Sequence, residues 1–188
     1  MTGVEASPGS VVNITGGTVD IGVQVALSQI GLNASSGSEV NISGGSFGRD
    51  FVAYPGSDVE LIGGEFRLNG APFSDSSITL NEGDVFSGTL SDGSVFIFSD
   101  PVMESGGDAL SGVQLTSAIL PTLDLSPVVV STSNPSHLSG LRPGQTLTLQ
   151  EAGELGGSFE VVNATLNVEG GNLGCDAEAT NSLSLIHI

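Results

Sequence analysis

Apolar and polar residues alternate through four stretches of nearly the same wording: SVVNITGGTVD (10–20), SEVNISGGSFG (38–48), SDVELIGGEFR (57–67) and ATLNVEGGNLG (164–174). Aligned on their glycine pairs (Gly16, Gly44, Gly63, Gly170), the copies separate into columns. Ile14, Ile42, Leu61 and Val168 stand two residues before the pair, and Val12, Val40, Val59 and Leu166 stand four before it. Asn13, Asn41, Glu60 and Asn167 lie between them. This period of two predicts half-buried strands, interrupted once by Ile62. An apolar residue returns three positions after the first glycine (Val19, Phe47, Phe66, Leu173), so the pair reads as a corner where the chain bends and re-enters a core. Phe51 and Ala53 offer a second inward pair. Turns precede three of the strands, at Pro8-Gly9-Ser10, Ser36-Gly37-Ser38 and Pro55-Gly56-Ser57.

Gly44 and Gly63 are 19 residues apart, and Gly16 and Gly44 are 28 apart. A repeat near 20 residues with one or two short strands fits one coil of a right-handed parallel β-helix, stacked on its neighbour at about 4.8 Å. The longer first spacing predicts an insertion around VALSQIGLN. Residues 1–70 are therefore expected to form coils of an all-β solenoid. In 71–99, strands are expected near 78–80, 84–90 and 94–99, with a hairpin at Asp92-Gly93 capping the stack. Residues 100–139, with Pro101, Pro121, Pro127 and Pro135, read as a crossover contributing one strand. Residues 140–181 read as the start of a second, truncated block, with Leu147, Leu149, Leu166 and Val168 inward. The ending SLSLIHI (182–188) breaks the grammar and is set aside as a non-native tail.

Composition agrees with strands. Gly numbers 28, about twice the usual share, Trp is absent, and no window carries sustained helical spacing. The 21 acidic residues against 3 basic ones leave a net charge of −18, which disfavours nucleic acid and anionic membranes as partners. Pairs such as Glu151/Glu154 read as a solvated face. The single Cys175 forms no internal disulfide and, without a neighbouring base, reads as incidental. No apolar run is long enough to span a membrane, and no export signal is visible.

The succession of GSEVNISGGSFG, FRLNG, the GTLSDGSVF hairpin, a Pro-rich crossover and GLRPGQTLTLQEAGELG resembles large secreted, Gly-rich repeat proteins of marine bacteria. The resemblance covers about residues 8–181. It implies a pectate-lyase-like parallel β-helix and an extracellular or cell-surface setting, and it brings no catalytic residues.

Candidate chemistry is sparse. GGSFGRDF and GGNLGCDA place Asp50 and Asp176 after Gly-rich corners in the manner of a nonapeptide calcium roll, but with the wrong glycine spacing and period. They are the two calcium candidates; no cofactor is otherwise expected. Polysaccharide lysis or hydrolysis needs paired carboxylates or a base with a cation clamp. Arg49, Arg67 and Arg142 are the whole supply of cationic side chains beyond the histidines, and His137 sits in a Pro/Ser stretch. The Asn13, Asn41, Asn167 column reads as a stacked polar ladder, and the sequons at Asn13, Asn33, Asn41 and Asn163 as its by-products. Tyr54 is the one obvious outward aromatic. The expected function is thus a non-catalytic structural or adhesive surface module. The alternatives are a carbohydrate-binding β-helix that contacts extracellular polysaccharide and, behind it, a polysaccharide-degrading enzyme.

Overall fold

The computed structural model describes residues 3–19, 31–47, 51–99, 109–133, 138, 140–156, 159–174 and 177–186. Among these the chain is all-β, with parallel sheets and no helix. The first strands are β1 (Val4–Ala6), β2 (Val11–Val19), β3 (Leu32–Ala34), β4 (Glu39–Phe47), β5 (Phe51–Ala53) and β6 (Asp58–Leu68). They form two parallel ladders: β1-β3-β5 and β2-β4-β6. The expected insertion around VALSQIGLN lies mostly outside the described residues.

The columns anticipated from the alternation pair in register. Val12, Val40 and Val59 align, as do Ile14, Ile42 and Leu61. Val40, Ile42, Val59 and Leu61 are almost wholly buried. Each such side chain contributes about 1.5–3 kcal/mol by leaving water. In the other ladder Ala6, Ala34 and Ala53 align, with Leu32 beside Phe51, and all five are buried.

Serine-closed turns join the ladders. The amides of Ser10, Ser38 and Ser57 donate to the carbonyls of Ser7, Ser35 and Tyr54, and each serine hydroxyl donates to the same oxygen. Gly9, Gly37 and Gly56 have φ of 80°, 80° and 86°, the left-handed third position of a type II turn. The turns also stack: Gly9 N–H donates to Gly37 O at 2.8 Å and Gly37 N–H to Gly56 O at 2.7 Å.

The third inward column departs from expectation. Val19 pairs with Phe47, but Phe66 does not continue that stack. Past Leu61, β6 leaves β4 and runs antiparallel to a hairpin strand, with an irregularity between Gly64 and Arg67. Phe66 therefore packs on Phe86 and Phe96 at 5.9 and 6.3 Å, whereas Phe47 meets Phe51 and Phe98 at 6.4 and 6.0 Å.

Next come β7 (Ala71–Pro72), β8 (Ser77–Ile78), β9 (Val85–Leu90) and β10 (Val95–Ser99). The last two form the anticipated antiparallel hairpin around Asp92-Gly93. Its residues alternate between two cores. Phe86, Phe96 and Phe98 join the core of the first ladders, while Val95 and Ile97 cluster with Val162. The hairpin is thus a leaf between two packed regions, which is why VFIF carries no polar residue.

The Pro-rich segment is more structured than one strand. It supplies β11 (Ala109–Leu110), β12 (Val113–Ser117) and β13 (Val128–Val130). β11 adds in parallel to β5, and β12 to β6, with Leu115 opposite Leu61. VQLTS has the same alternation as the repeats but no glycine pair, so its membership in the ladder was hidden. Pro121 and Pro127 lie outside these three strands, where no ladder amide is needed.

The remaining strands are β14 (Gly140–Leu141), β15 (Thr146–Leu149), β16 (Glu160–Val162), β17 (Thr165–Val168), β18 (Glu178–Thr180) and β19 (Leu183–Ile186). They form two parallel ladders, β13-β15-β17-β19 and β14-β16-β18. Leu147, Leu149, Leu166 and Val168 are buried, as the alternation implied. The final strand continues this ladder, but Ser184 takes the register position of Leu166 and Leu185 that of Asn167. Leu183 likewise stands opposite Thr165, but Ile186 keeps the place of Val168, so the polar and apolar order is inverted at three of the four paired positions.

Candidate functional site

Parallel register turns each outward sequence position into a row. Asn13, Asn41, Glu60 and Gln114 form one row, and Glu39 and Asp58 lie side by side in the next. Asn41 donates through Nδ2 to Asn13 Oδ1 at 3.1 Å and to Glu39 Oε1 at 3.0 Å. Thr116 donates to Glu60. In the later ladder, Asn167 donates to Thr148 Oγ1 at 3.5 Å. The asparagine column thus contains one Asn–Asn rung, and its other side-chain bonds go to neighbouring rows. Tyr54, 45% exposed, stands at a turn beside this surface.

The glycine corners do not share one cause across all four copies. Gly17, Gly45 and Gly171 have φ of 88°, 108° and 84°, so the second glycine of those pairs takes the left-handed region. In the Gly63-Gly64 pair neither glycine does; Glu65 carries the positive φ, at 55°. What selects Gly63 is close approach, since a Cβ there would fall on the Thr89 backbone. At Gly44 the Asp92 carboxylate occupies the equivalent space. Asp92 accepts from the Gly45 amide at 2.9 Å and the Ser94 amide at 2.8 Å, and also from the Ser94 hydroxyl.

Glu65, placed by that backbone conformation, accepts from Thr89 Oγ1 at 2.8 Å and meets Arg142 Nη2 at 3.2 Å. Arg142 is 8% exposed, donates through Nη1 to Pro121 O at 2.8 Å, and through its backbone amide to Gln145 Oε1 at 2.8 Å. One guanidinium thus ties the early ladders, the crossover and the later ladders. Arg67 is spent locally, donating through Nη1 to Gly70 O at 3.0 Å. Sequence reasoning counted these arginines only as substrate clamps; spacing alone does not reveal a partner 77 residues away.

Two aspartates, half-buried Asp84 and exposed Asp124, are held below the ordinary carboxylate value. For Asp84 the causes are donation from the Asn69 side chain, then from the Asn81 amide and side chain. For Asp124 the cause is Ser126, backbone first.

The calcium candidates Asp50 and Asp176 lie outside the described residues, as do Arg49, His137 and Cys175. Among the described residues, no three His, Cys, Asp or Glu side chains gather as metal ligands would. Glu151 and Glu154 are exposed. Asn33 and Asn163 are half-buried, so their sequons are less open than that of exposed Asn13. Comparisons of the chain with protein-family models, curated proteins and solved structures find no match.

Proposed function

We propose that this chain is a non-catalytic structural or adhesive module, built of right-handed parallel β-helix coils, from a secreted or cell-surface repeat protein. The observation that carries the reading is the in-register outward row of Asn13, Asn41, Glu60 and Gln114, in which Asn41 donates to Asn13 while Glu60 accepts from Thr116 and Gln114 donates to the Gly112 carbonyl. Such a surface repeats one chemistry at strand spacing, which suits multivalent contact or spacing. Burial of the guanidinium of Arg142 in a structural ion pair supports the same reading, because it withdraws a cation from any substrate clamp. The resemblance to marine secreted repeat proteins adds the extracellular setting.

The test joins two measurements on the purified chain. A panel of acidic and neutral polysaccharides should show no chain cleavage, and tandem copies should lengthen linearly in small-angle scattering. Depolymerisation of any polysaccharide would overturn the reading in favour of an enzyme. A glycan-array signal lost in Tyr54→Ala would favour the carbohydrate-binding alternative, for which exposed Tyr54 beside a polar ladder is the specific support.

A further inference from the structure

Asn69-Gly70 forms the two-residue turn between β6 and β7, with φ of 51° and 77°. An asparagine followed by glycine carries a latent reaction, because the glycine nitrogen has no neighbouring side chain to shield its approach to the amide carbon. Here both ends of that amide are held. Asn69 Nδ2 donates to Asp84 Oδ1 at 2.8 Å, and Asn69 Oδ1 accepts from the Val85 amide at 2.9 Å. The Asn69 backbone amide donates to Val85 O at 2.8 Å. Asp84 is itself fixed by the Asn81 amide and side chain, each at 3.0 Å.

We propose that Asn69 is a self-deamidating modification site whose reaction is gated by this clasp and whose product cannot re-form it. The Gly70 nitrogen attacks Asn69 Cγ; the N–Cγ bond forms, the Cγ–Nδ2 bond breaks, and Nδ2 leaves as ammonia with the proton from the Gly70 nitrogen. Water, the co-reactant, then opens the cyclic imide at either carbonyl, giving aspartate or isoaspartate at position 69. Attack requires the amide to turn toward Gly70, and it cannot turn without releasing both Asp84 and Val85. The Asp84 carboxylate is an acceptor at neutral pH, and its depressed proton affinity extends that state to lower pH.

The product cannot restore the clasp. A carboxylate at position 69 has no proton to donate and confronts Asp84 with a like charge. Isoaspartate also lengthens the turn by one backbone carbon. A Cβ on Gly70 would already fall on the Asn181 side chain, so the turn has no room to grow on that side. The modification therefore loosens the contact between the hairpin region and the later ladders.

The experiment incubates the full chain at mildly alkaline pH and maps isoaspartate and the amide-to-acid mass change by peptide mass spectrometry. Native protein should deamidate at Asn69 far more slowly than protein in urea. Asp84→Ala should raise the native rate roughly fivefold to tenfold, the scale of one lost charge-assisted hydrogen bond at an exposed site. Asp84→Asn retains an acceptor oxygen and should fall between. Circular dichroism on the same samples fixes the folded fraction, and Asn33-Ala34, in the β1-β3-β5 ladder, serves as an internal control. Equal Asn69 rates in Asp84→Ala and wild type at equal folded fraction would overturn the proposal. So would equal rates in native and urea-treated protein, or parallel acceleration at Asn33.

Discussion

Gly63 and Gly64 are neighbours of one residue type under opposite constraints. Gly63 faces the Thr89 backbone, which cannot step aside without breaking β9 from β6, whereas a Cβ on Gly64 would meet Leu120 Cδ1 at an accommodating 3.4 Å. Gly63→Ala should therefore cost about 1–3 kcal/mol by forcing the hairpin outward. Gly64→Ala should lie within about 0.5 kcal/mol of wild type. Urea melts of the two variants check this; equal costs would mean that the close approach is not what selects the first glycine. Asp84 supplies a second test at this scale. Its folded proton affinity is depressed, so its stabilisation is present above the ordinary value of 3.8 and is lost as pH falls through the lower folded value. Stability measured from neutral pH down into that window should fall more steeply in wild type than in Asp84→Asn.

At the scale of elements, β10 shows how one strand serves two cores. Its even residues, Phe96 and Phe98, belong to the aromatic cluster with Phe86, while Val95 and Ile97 pack with Val162. A double-mutant cycle between Ile97→Ala and Val162→Ala should show a coupling of about 0.5–1 kcal/mol. Phe96→Ala should cost about 3–5 kcal/mol and add independently to Val162→Ala. Additivity for Ile97 with Val162 would separate the hairpin from the later ladders. The same two-sidedness explains why the hairpin was legible as a strand pair but not as a shared layer: a run of VFIF states that both faces are buried, not what buries them.

For the whole molecule, Arg142 joins regions distant in sequence. Removing it leaves Glu65 without its cation and the Pro121 carbonyl without its donor. Arg142→Ala should cost about 2–4 kcal/mol, and calorimetry should resolve two transitions where wild type shows one. Arg142→Lys, which keeps the charge but not the forked geometry, should recover only part of the loss. A single unshifted transition in Arg142→Ala would show that the hairpin packing alone couples the two regions.

Strand identity, the inward columns and the turns were determined by sequence, because each depends on alternation or on a glycine within a few residues. Val40, Ile42, Val59 and Leu61 could be assigned to a core from spacing alone. So could the pairing of Asn13 with Asn41, since parallel in-register stacking brings like beside like. The departure of Phe66, the strands within the Pro-rich segment and the Glu65–Arg142 tie were decided only by tertiary structure. Phe66 leaves its column because the hairpin competes for the edge of β6. The crossover strands carry the alternation but lack the glycine corner that made the other copies visible. Arg142 and Glu65 meet because Glu65 takes a left-handed conformation within an irregularity in pairing, and no local pattern encodes that aim. Local rules set which residues turn inward; the packing of one ladder, hairpin and crossover against another set which distant residues meet.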